Sequence, residues 1–266
     1  MKYDIVKDKI AFFISIIPML RKVFYKALTC LILRQQYVFD LINNLYPNKA
    51  VKLKMYDAGG GYLQYTDYVL NKYPKSQVFA VDIKDDYIEE YYFYLKGSNK
   101  ESRFSHYCAD LQDFTPKEKF DLIIAIDILE HIENDRAVLD NFSKVLNANG
   151  KLIISTPSTF DEAAAFTEEH VRPGYDLSDL VEKLESAGLK IDSTRYTYGK
   201  YGAWYWKLAM KTPLTLLQKS NAFFLLLPLY YLVTFPVFHI FMKIDQRRDN
   251  KIGNGILIVA SKQGER

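Results

Sequence analysis

The sequence predicts a doubly wound α/β fold, in which helices cover both faces of a mostly parallel sheet. Short apolar runs alternate with helical patterns along most of the 266 residues, and this alternation is typical of βαβ units. The run LIIAI at 122–126 is continuously apolar, as expected of a parallel strand that is buried on both faces. A glycine triplet, Gly59–Gly61, follows the apolar run that ends at Asp57. Ligands of such sheets bind beyond the carboxyl ends of the strands, so we expect a ligand at these glycines.

The first part of the chain, residues 1–50, is predicted to be helical. Apolar residues recur at three- and four-residue steps over 10–46, which is the spacing of an amphipathic helix. The run Ile10–Leu20 resembles the core of a signal peptide, but acidic residues precede it and no A-x-A site follows it. We therefore expect this run to be retained.

The remainder, residues 51–266, is predicted to form one domain with the last strand at 254–261. Its helices include DRAVLDNFSKVLNANG, with Gly150 as the stop, and SDLVEKLESAG, with Ser178 as the N-cap. The apolar runs that predict strands are VKLKMYD, QVFAVD, FDLIIAID, KLIIST and GILIVAS.

Composition excludes several classes of protein. The net charge of +3 is too small to indicate a nucleic-acid binder. The two cysteines, Cys30 and Cys108, are too few for a disulfide framework or a cysteine-based zinc site, which fits a cytoplasmic protein. Neither a D/N-P-P-Y motif nor a Pro-Cys pair follows the fourth strand. Nucleic acid is therefore not expected as a substrate.

Acidic residues around the glycine triplet indicate what kind of ligand binds there. The fingerprint G-x-G-x-x-G is not completed, because residues 63 and 64 are Leu and Gln. Asp57 would repel a pyrophosphate but attract a cationic group. Asp82 lies 23 residues after Gly59 at the end of a strand, where an acid accepts hydrogen bonds from ribose hydroxyls. With Asp110 placed to meet an adenine edge, these acids favour a nucleoside that carries positive charge and no phosphate, such as S-adenosylmethionine.

The motifs MYDAGGG, VFAVDI, CADL and FDLIIAIDILEHIEN, followed by LNANGKLIISTPS, resemble those of class I S-adenosylmethionine-dependent methyltransferases. The resemblance is strongest to the group with an "LEHI" signature, which acts on quinones, lipids and glycans, and it covers about residues 53–198 and the last strand. It implies a seven-stranded Rossmann-like sheet. The sequence departs from the family at Leu63, where the family has the third glycine of the loop.

The resemblance also implies roles for individual residues. Asp57, Ala58 and Gly59–Gly61 would flank the methionine portion of the cofactor, and Asp82 with Ile83 would hold the ribose. Asp110 and Leu111 would border the adenine, and Ile126 and Asp127 would line the reactive side.

Two histidines are candidates for a general base. A hydroxyl acceptor benefits from a base with a pKa near neutrality, which histidine provides. The candidates are His131 in LEHIEN and His170 in EEHVRPGY, ahead of His106 and His239. The favoured interpretation is that no protein base is essential, because alignment and exclusion of water supply much of the rate. No metal ligand is predicted.

An apolar insertion at 199–250 precedes the last strand. Residues 220–242 contain no charged side chain, a length sufficient for a transmembrane span. One crossing would separate the last strand from its sheet, and Pro228 and Pro236 are expected to interrupt a straight helix. The alternatives are a helical cap over the active site, a pair of helices in the membrane interface, and plain internal packing with 10–20.

The sequence thus predicts a methyltransferase that acts on a small-molecule or lipid- or glycan-linked acceptor, cytoplasmic and in contact with the membrane face through 10–20 and 220–242. One alternative is an NAD(P)-dependent oxidoreductase, against which Asp57 and the missing glycine at 64 argue. Another is a non-catalytic, membrane-associated protein of the same fold.

Overall fold

The computed structural model describes residues 18–160 and 170–262, and in these ranges seven strands form one sheet. The strands are β1 (Lys54–Ala58), β2 (Gln77–Asp82), β3 (Phe104–Cys108), β4 (Phe120–Ile126), β5 (Leu146–Pro157), β6 (Leu189–Thr197) and β7 (Gly255–Lys262). Their spatial order is β3-β2-β1-β4-β5-β7-β6, and β7 runs antiparallel to both of its neighbours. The predicted fold class is confirmed, and the last strand begins one residue later than predicted.

Helices lie before, between and after these strands. The α-helices are α1 (Pro18–Leu31), α2 (Leu33–Leu45), α3 (Gln64–Lys72), α4 (Asp85–Leu95), α5 (Asp135–Val145), α6 (Leu177–Ser186), α7 (Lys200–Trp206), α8 (Thr212–Lys219) and α9 (Leu227–Arg247). Short 3₁₀ turns form at Glu101–Arg103, Leu129–His131 and Asn221–Leu226, and a π-helical turn forms at Lys207–Lys211.

The sheet is buried on both faces, as predicted for 122–126. Leu122 and Ile124 of β4 belong to one hydrophobic cluster, which also includes residues of α2 and α9, whereas Ile123 and Ala125 belong to a second cluster under α5 and α6. Successive side chains of a strand point to opposite faces, so β4 contributes to both layers. Residues of α2 share the first cluster with the sheet. The domain boundary at residue 50 stays a prediction.

The predicted helix over 10–46 is wrong at one point, because α1 and α2 are separated by Ile32, whose backbone is extended. The Tyr205 hydroxyl of α7 donates to the Leu31 carbonyl and accepts from the Leu33 amide at 3.3 Å. It satisfies the backbone groups that the break leaves unpaired. Residues 10–17 of the predicted helix lie outside the described residues.

The predicted N-cap of α6 is also wrong. The cap is Asp176, whose carboxylate accepts from the Ser178 amide at 2.9 Å, and Ser178 lies inside the helix. Aspartate and serine are both good caps, so residue type alone did not decide between them.

The apolar insertion is helical, but the prolines do not interrupt its main helix. Pro228 lies in the first turn of α9, where its missing amide hydrogen has no intrahelical acceptor in any case, and Pro236 lies inside the helix. The expectation of an interrupted helix is therefore wrong, since one interior proline kinks or weakens a helix without having to end it. Within the described ranges, Ala222–Arg247 is the one helical segment long and apolar enough to cross a membrane by length and composition, and 6% of its most apolar window is buried.

Candidate cofactor and acceptor site

The order of the strands reverses between β1 and β4, and the predicted site residues meet at that point. In the parallel registers, Ala58 of β1 lies opposite Val81 of β2 and Ala125 of β4. Residues that follow these three strands therefore lie along one edge of the sheet. This is the place at which open α/β sheets bind ligands.

At Gly59 the glycine loop approaches its neighbours too closely for a side chain. The amides of Gly59 and Gly60 donate to the Val81 carbonyl at 2.8 and 3.3 Å, which ties the loop to β2. Gly59 has φ +74°, and a Cβ atom there would lie 2.6 Å from a carbon of Ile128. At Gly61, with φ +50°, a Cβ would meet nothing within 4 Å. The loop thus has a packed side at Gly59 and an open side at Gly61.

Leu63, at the position of the family's third loop glycine, has the left-handed backbone conformation that glycine favours. Its φ is +59°, which costs an L-residue roughly 1–2 kcal/mol. The side chain is fully buried and lies over Gly60, and burying a leucine contributes about 1.5–3 kcal/mol. Burial therefore offsets the backbone strain, and the loop keeps its turn despite the departure from the family pattern.

Asp82 is fixed at the end of β2 by the backbone of two loops. Its carboxylate accepts from the Gly61 amide at 2.9 Å and from the Lys84 amide at 2.9 Å. Each carboxylate oxygen accepts about two hydrogen bonds, so capacity remains for a ligand. The next side chain, Ile83, is exposed beside it. The pair offers an acceptor and an apolar surface at the open side of the glycine loop.

Asp57 lies beneath the loop and is buried with its neighbour Ala58. Its carboxylate accepts from the Thr66 hydroxyl at 2.6 Å. The pKa of Asp57 is raised to about 7, chiefly by burial, with a smaller upward contribution from the charge of Asp82 and a downward one from the hydrogen bond of Thr66. Asp57 is therefore a carboxyl group whose charge changes near neutral pH, placed where a cation would favour the ionised form.

Asp110 and Leu111 follow β3. Leu111 is buried, and the Asp110 carboxylate accepts from the Gln112 amide at 2.9 Å and from the Gln112 side chain at 3.1 Å. An adenine amino group would share this carboxylate with Gln112. The sequence did not indicate that Gln112 takes part.

Past β4, the half-buried Ile126 precedes Asp127, which has φ +53° and forms an ion pair with Arg34 of α2. The Arg34 guanidinium also lies 5.4 Å from the centre of the Tyr198 ring. Arg34 places the N-terminal helices over the site, and sequence reasoning missed it because a residue 93 positions away gives no local signal.

The two predicted histidines come together above β4. The rings of His131 and His170 lie 4.6 Å apart at 80°. Glu130, which sequence reasoning missed although it stands in the quoted LEHI motif, is buried beside them, and the Thr156 hydroxyl donates to it at 3.1 Å. His106 lies 3.9 Å from Glu89 instead.

His239 also lies outside this group, because it stacks on Phe235 within α9.

Known proteins resemble this chain in the part that carries the site. Residues 56–152 match the family described as a methyltransferase domain. A malonyl-[acyl-carrier protein] O-methyltransferase of Ilyobacter polytropus is 24% identical over 122 residues, covering 46% of each chain. A ubiquinone biosynthesis O-methyltransferase of Rickettsia akari is 26% identical over 134 residues, covering 50% of this chain and 51% of the relative. This chain thus spans about half the length of the curated relatives that it matches.

Among solved structures, a putative sarcosine dimethylglycine methyltransferase from Galdieria sulphuraria superposes with a TM-score of 0.59 at 12% identity, covering 87% of this chain and 85% of that one. At that identity the superposition shows the fold alone. Together with the family match, it identifies residues 56–152 as a class I S-adenosylmethionine-dependent methyltransferase domain. The predicted family and its cofactor are confirmed, and the oxidoreductase alternative receives no support.

Proposed function

We propose that this chain transfers a methyl group from S-adenosylmethionine to an oxygen atom of a small-molecule or lipid- or glycan-linked acceptor. The observation that carries the proposal is the convergence of Gly59–Gly61 and Asp82 at the strand-order reversal, inside the region that matches the methyltransferase family. The choice of oxygen rests on the relatives, whose names describe O-methyltransferases of malonyl-[acyl-carrier protein] and of ubiquinone biosynthesis.

The open side of the glycine loop fits the cofactor. Asp82 keeps acceptor capacity for ribose hydroxyls, and Ile83 offers an apolar surface next to it. Asp110 and Leu111 would border the adenine, while Asp57, Ala58 and the loop glycines would surround the methionine portion. When its carboxyl group is ionised, Asp57 carries a negative charge that attracts a cationic ligand.

The cofactor supplies a methyl group that is already activated for displacement. The chain has to align the acceptor and exclude water. The Arg34–Asp127 ion pair closes one side of the site with α2, and Ile126 lines it beside Asp127. His131 and His170 lie together past the end of β4, and the favoured interpretation stays that no protein base is essential for the transfer.

Methyl transfer is tested with labelled cofactor. The full chain is incubated with methyl-labelled S-adenosylmethionine and a host extract, and the lipid, glycan and small-molecule fractions are assayed for label. We expect label in one fraction with the parent and with His106→Ala, and at least ten-fold less with Asp82→Ala. No label in any fraction, with cofactor binding intact, would favour the non-catalytic alternative.

We further propose that the protein is cytoplasmic and that α9 lies on the cytoplasmic face of the membrane. Its outer face is apolar and exposed: Leu232 is 74% and Val233 67% exposed, and Leu225 just before the helix is 82% exposed. Such a face lowers its free energy by entering the headgroup boundary. Basic residues flank it, and they would attract an anionic leaflet. These are Lys211, Lys219, Lys243, Arg247 and Arg248.

The inner face of α9 is held by the protein along its length, which argues against a span. In the N-terminal half, the hydroxyls of Tyr230 and Tyr231 donate to the carbonyls of residues 208 and 209 at 2.6 and 2.9 Å. In the C-terminal half, the Asp245 carboxylate accepts from the Gly202 amide at 3.0 Å. Both attachments are to the helical segment formed by α7 and the π-helical turn, so α9 lies along that segment and its outer face meets the membrane in plane.

Vesicle sedimentation tests this placement. We expect binding that rises with the content of anionic lipid and falls at high salt. We choose Leu225, Leu232 and Val233 for substitution by Ser, because their side chains are exposed. Phe223 and Leu227 are left unchanged, because they are half-buried and their substitution could affect folding. The triple variant should bind at least several-fold less, and Phe93→Ser, on exposed α4 surface, should bind as the parent does. A parent that stays in the supernatant at every composition would contradict the proposal.

A further inference from the structure

We propose that Glu130, His131 and His170 form a binding site for a divalent transition-metal cation on the acceptor side of the candidate active site. This departs from the sequence prediction that no metal ligand is present. Binding of the cation does not depend on the methyl-transfer proposal, whereas its role toward the acceptor rests on that proposal.

The three side chains offer ligand atoms at a suitable spacing. One carboxylate oxygen of Glu130 and one nitrogen of each histidine lie within 4.8 Å of one another. Around a cation with metal–ligand distances near 2.1 Å, ligand atoms lie about 3–4 Å apart. Small side-chain rotations bring the three atoms to that spacing.

Burial makes a cation favourable at Glu130. Glu130 is 1% exposed, so its carboxyl group lies away from water beside the two imidazole rings. The Thr156 hydroxyl donates to it at 3.1 Å and fixes its position. A bound divalent cation would replace the hydration that this buried carboxylate has lost.

The backbone around the cluster holds the ligands in place. Glu130 and His131 lie in the 3₁₀ turn that follows β4, and the Glu130 carbonyl accepts from the Val171 amide at 3.0 Å, directly after His170. The Arg172 guanidinium donates to the Leu129 carbonyl at 2.9 Å. Two separate chain segments are thus joined at the cluster, and fixed ligands of this kind favour metal binding.

A second cluster of the same ligand types provides a comparison. Asp85, Glu89 and His106 also bring their ligand atoms within 4.8 Å of one another, but Asp85 is exposed and none of the three is buried. The carboxylates of Asp85 and Glu89 remain in contact with water, so they gain little from an ion. His106→Ala is therefore a matched control.

The ligand set selects the class of metal and of acceptor. Two imidazoles and one carboxylate suit Zn²⁺, Mn²⁺, Fe²⁺ or Co²⁺ better than Mg²⁺ or Ca²⁺, which prefer oxygen ligands. Three protein ligands leave positions open. An acceptor with a hydroxyl beside a second oxygen would fill them, and the cation would lower the pKa of that hydroxyl so that its proton passes to solvent water. The oxygen would then form its bond to the methyl group as the sulfur–methyl bond breaks and S-adenosylhomocysteine leaves. This explains how an oxygen acceptor is activated without a dedicated protein base.

Metal binding is measured on the full chain without cofactor, by calorimetry with Mn²⁺ and Zn²⁺ and by the visible absorption of Co²⁺. We expect one equivalent to bind to the parent and to His106→Ala. Glu130→Gln and His170→Ala should each weaken binding at least ten-fold, and His170→Cys should add a thiolate-to-Co²⁺ charge-transfer band. Circular dichroism and affinity for S-adenosylhomocysteine report whether each variant is folded.

A parent that binds none of the three ions, or folded Glu130→Gln and His170→Ala variants that bind as tightly as the parent, would overturn the proposal. If Glu130→Gln does not fold, the two His170 variants decide. Loss of methyl transfer with intact metal binding would instead count against the proposed function, so the two failures are distinguishable.

Discussion

Two exposed regions differ in whether their side chains have partners within the protein. They are the carboxyl edge of β1, β2 and β4 and the outer face of α9. At the edge, each functional carboxylate already has partners, as when Asp82 accepts from the amides of Gly61 and Lys84. On α9, Leu232 and Val233 face outward and exposed. A preorganised polar site fits a small ligand, whereas an exposed apolar face indicates a contact surface. Substitutions in the two regions should therefore affect different measurements.

Gly59→Val gives the largest expected effect on the edge. Valine would place a carbon about 2.6 Å from Ile128 and force a β-branched residue to positive φ. Affinity for S-adenosylmethionine should fall more than 100-fold by calorimetry, while vesicle binding persists. Gly97→Val is the matched control, because Gly97 also has positive φ but a Cβ there meets nothing within 4 Å. Equal loss of affinity in both variants would show that strain, and not the loop, is responsible.

Asp82→Ala removes the acceptor at the end of β2 and leaves the Gly61 amide without its partner. The ribose hydroxyls of the cofactor would then be poorly paired, which costs roughly 1–3 kcal/mol, so cofactor affinity should fall about ten-fold or more in a folded protein. The control is Asp86→Ala, which removes an exposed carboxylate in the first turn of α4. It should leave cofactor affinity unchanged. An unaltered dissociation constant for Asp82→Ala would remove the ribose assignment.

Asp57 makes cofactor binding depend on pH. Because burial raises the pKa of Asp57 to about 7, the group is mostly neutral at pH 6 and ionised at pH 8. If the ionised form binds the cationic ligand, affinity should fall up to about ten-fold from pH 8 to pH 6, and Asp57→Asn should remove that dependence. A flat profile in the parent would contradict this role.

The same shift acts on stability with the opposite sign. Between the unfolded pKa near 4 and the folded pKa of about 7, the folded chain binds more protons than the unfolded chain. The free energy of unfolding should therefore decrease as pH rises through this window, by at most about 1.4 kcal/mol per pH unit. Chemical denaturation of the parent and of Asp57→Asn at pH 5 and pH 8 isolates this contribution.

Leu63→Gly should have the smallest effect on the ligand. Glycine removes the strain at φ +59° but loses a fully buried side chain, and the loss outweighs the relief. We expect a protein roughly 1–3 kcal/mol less stable in denaturation whose cofactor affinity changes less than about three-fold. A large loss of affinity would mean that Leu63 contributes to the ligand site itself.

The elements that the sequence predicted correctly are those whose structure depends on neighbouring residues in the chain. The continuous apolar run at 122–126 predicted β4, and glycines after an acid predicted the loop. Contacts between distant segments left no such signal. The break at Ile32 depends on Tyr205, far away in the chain, and Asp127 is paired with Arg34.

The candidate site follows the same rule. Positions at the strand ends were predicted, but the grouping of Glu130 with His170 depends on how the segment after residue 169 returns to β4. On α9, treating Pro236 as an interruption was wrong, because packing against α7 keeps the helix continuous.

The most direct test of the account is calorimetry of the full chain with S-adenosylhomocysteine and, separately, with NADH. The account predicts one-to-one binding of S-adenosylhomocysteine that Asp82→Ala weakens about ten-fold or more, and no measurable binding of NADH. Tight binding of NADH, or no binding of S-adenosylhomocysteine by the folded parent, would contradict it.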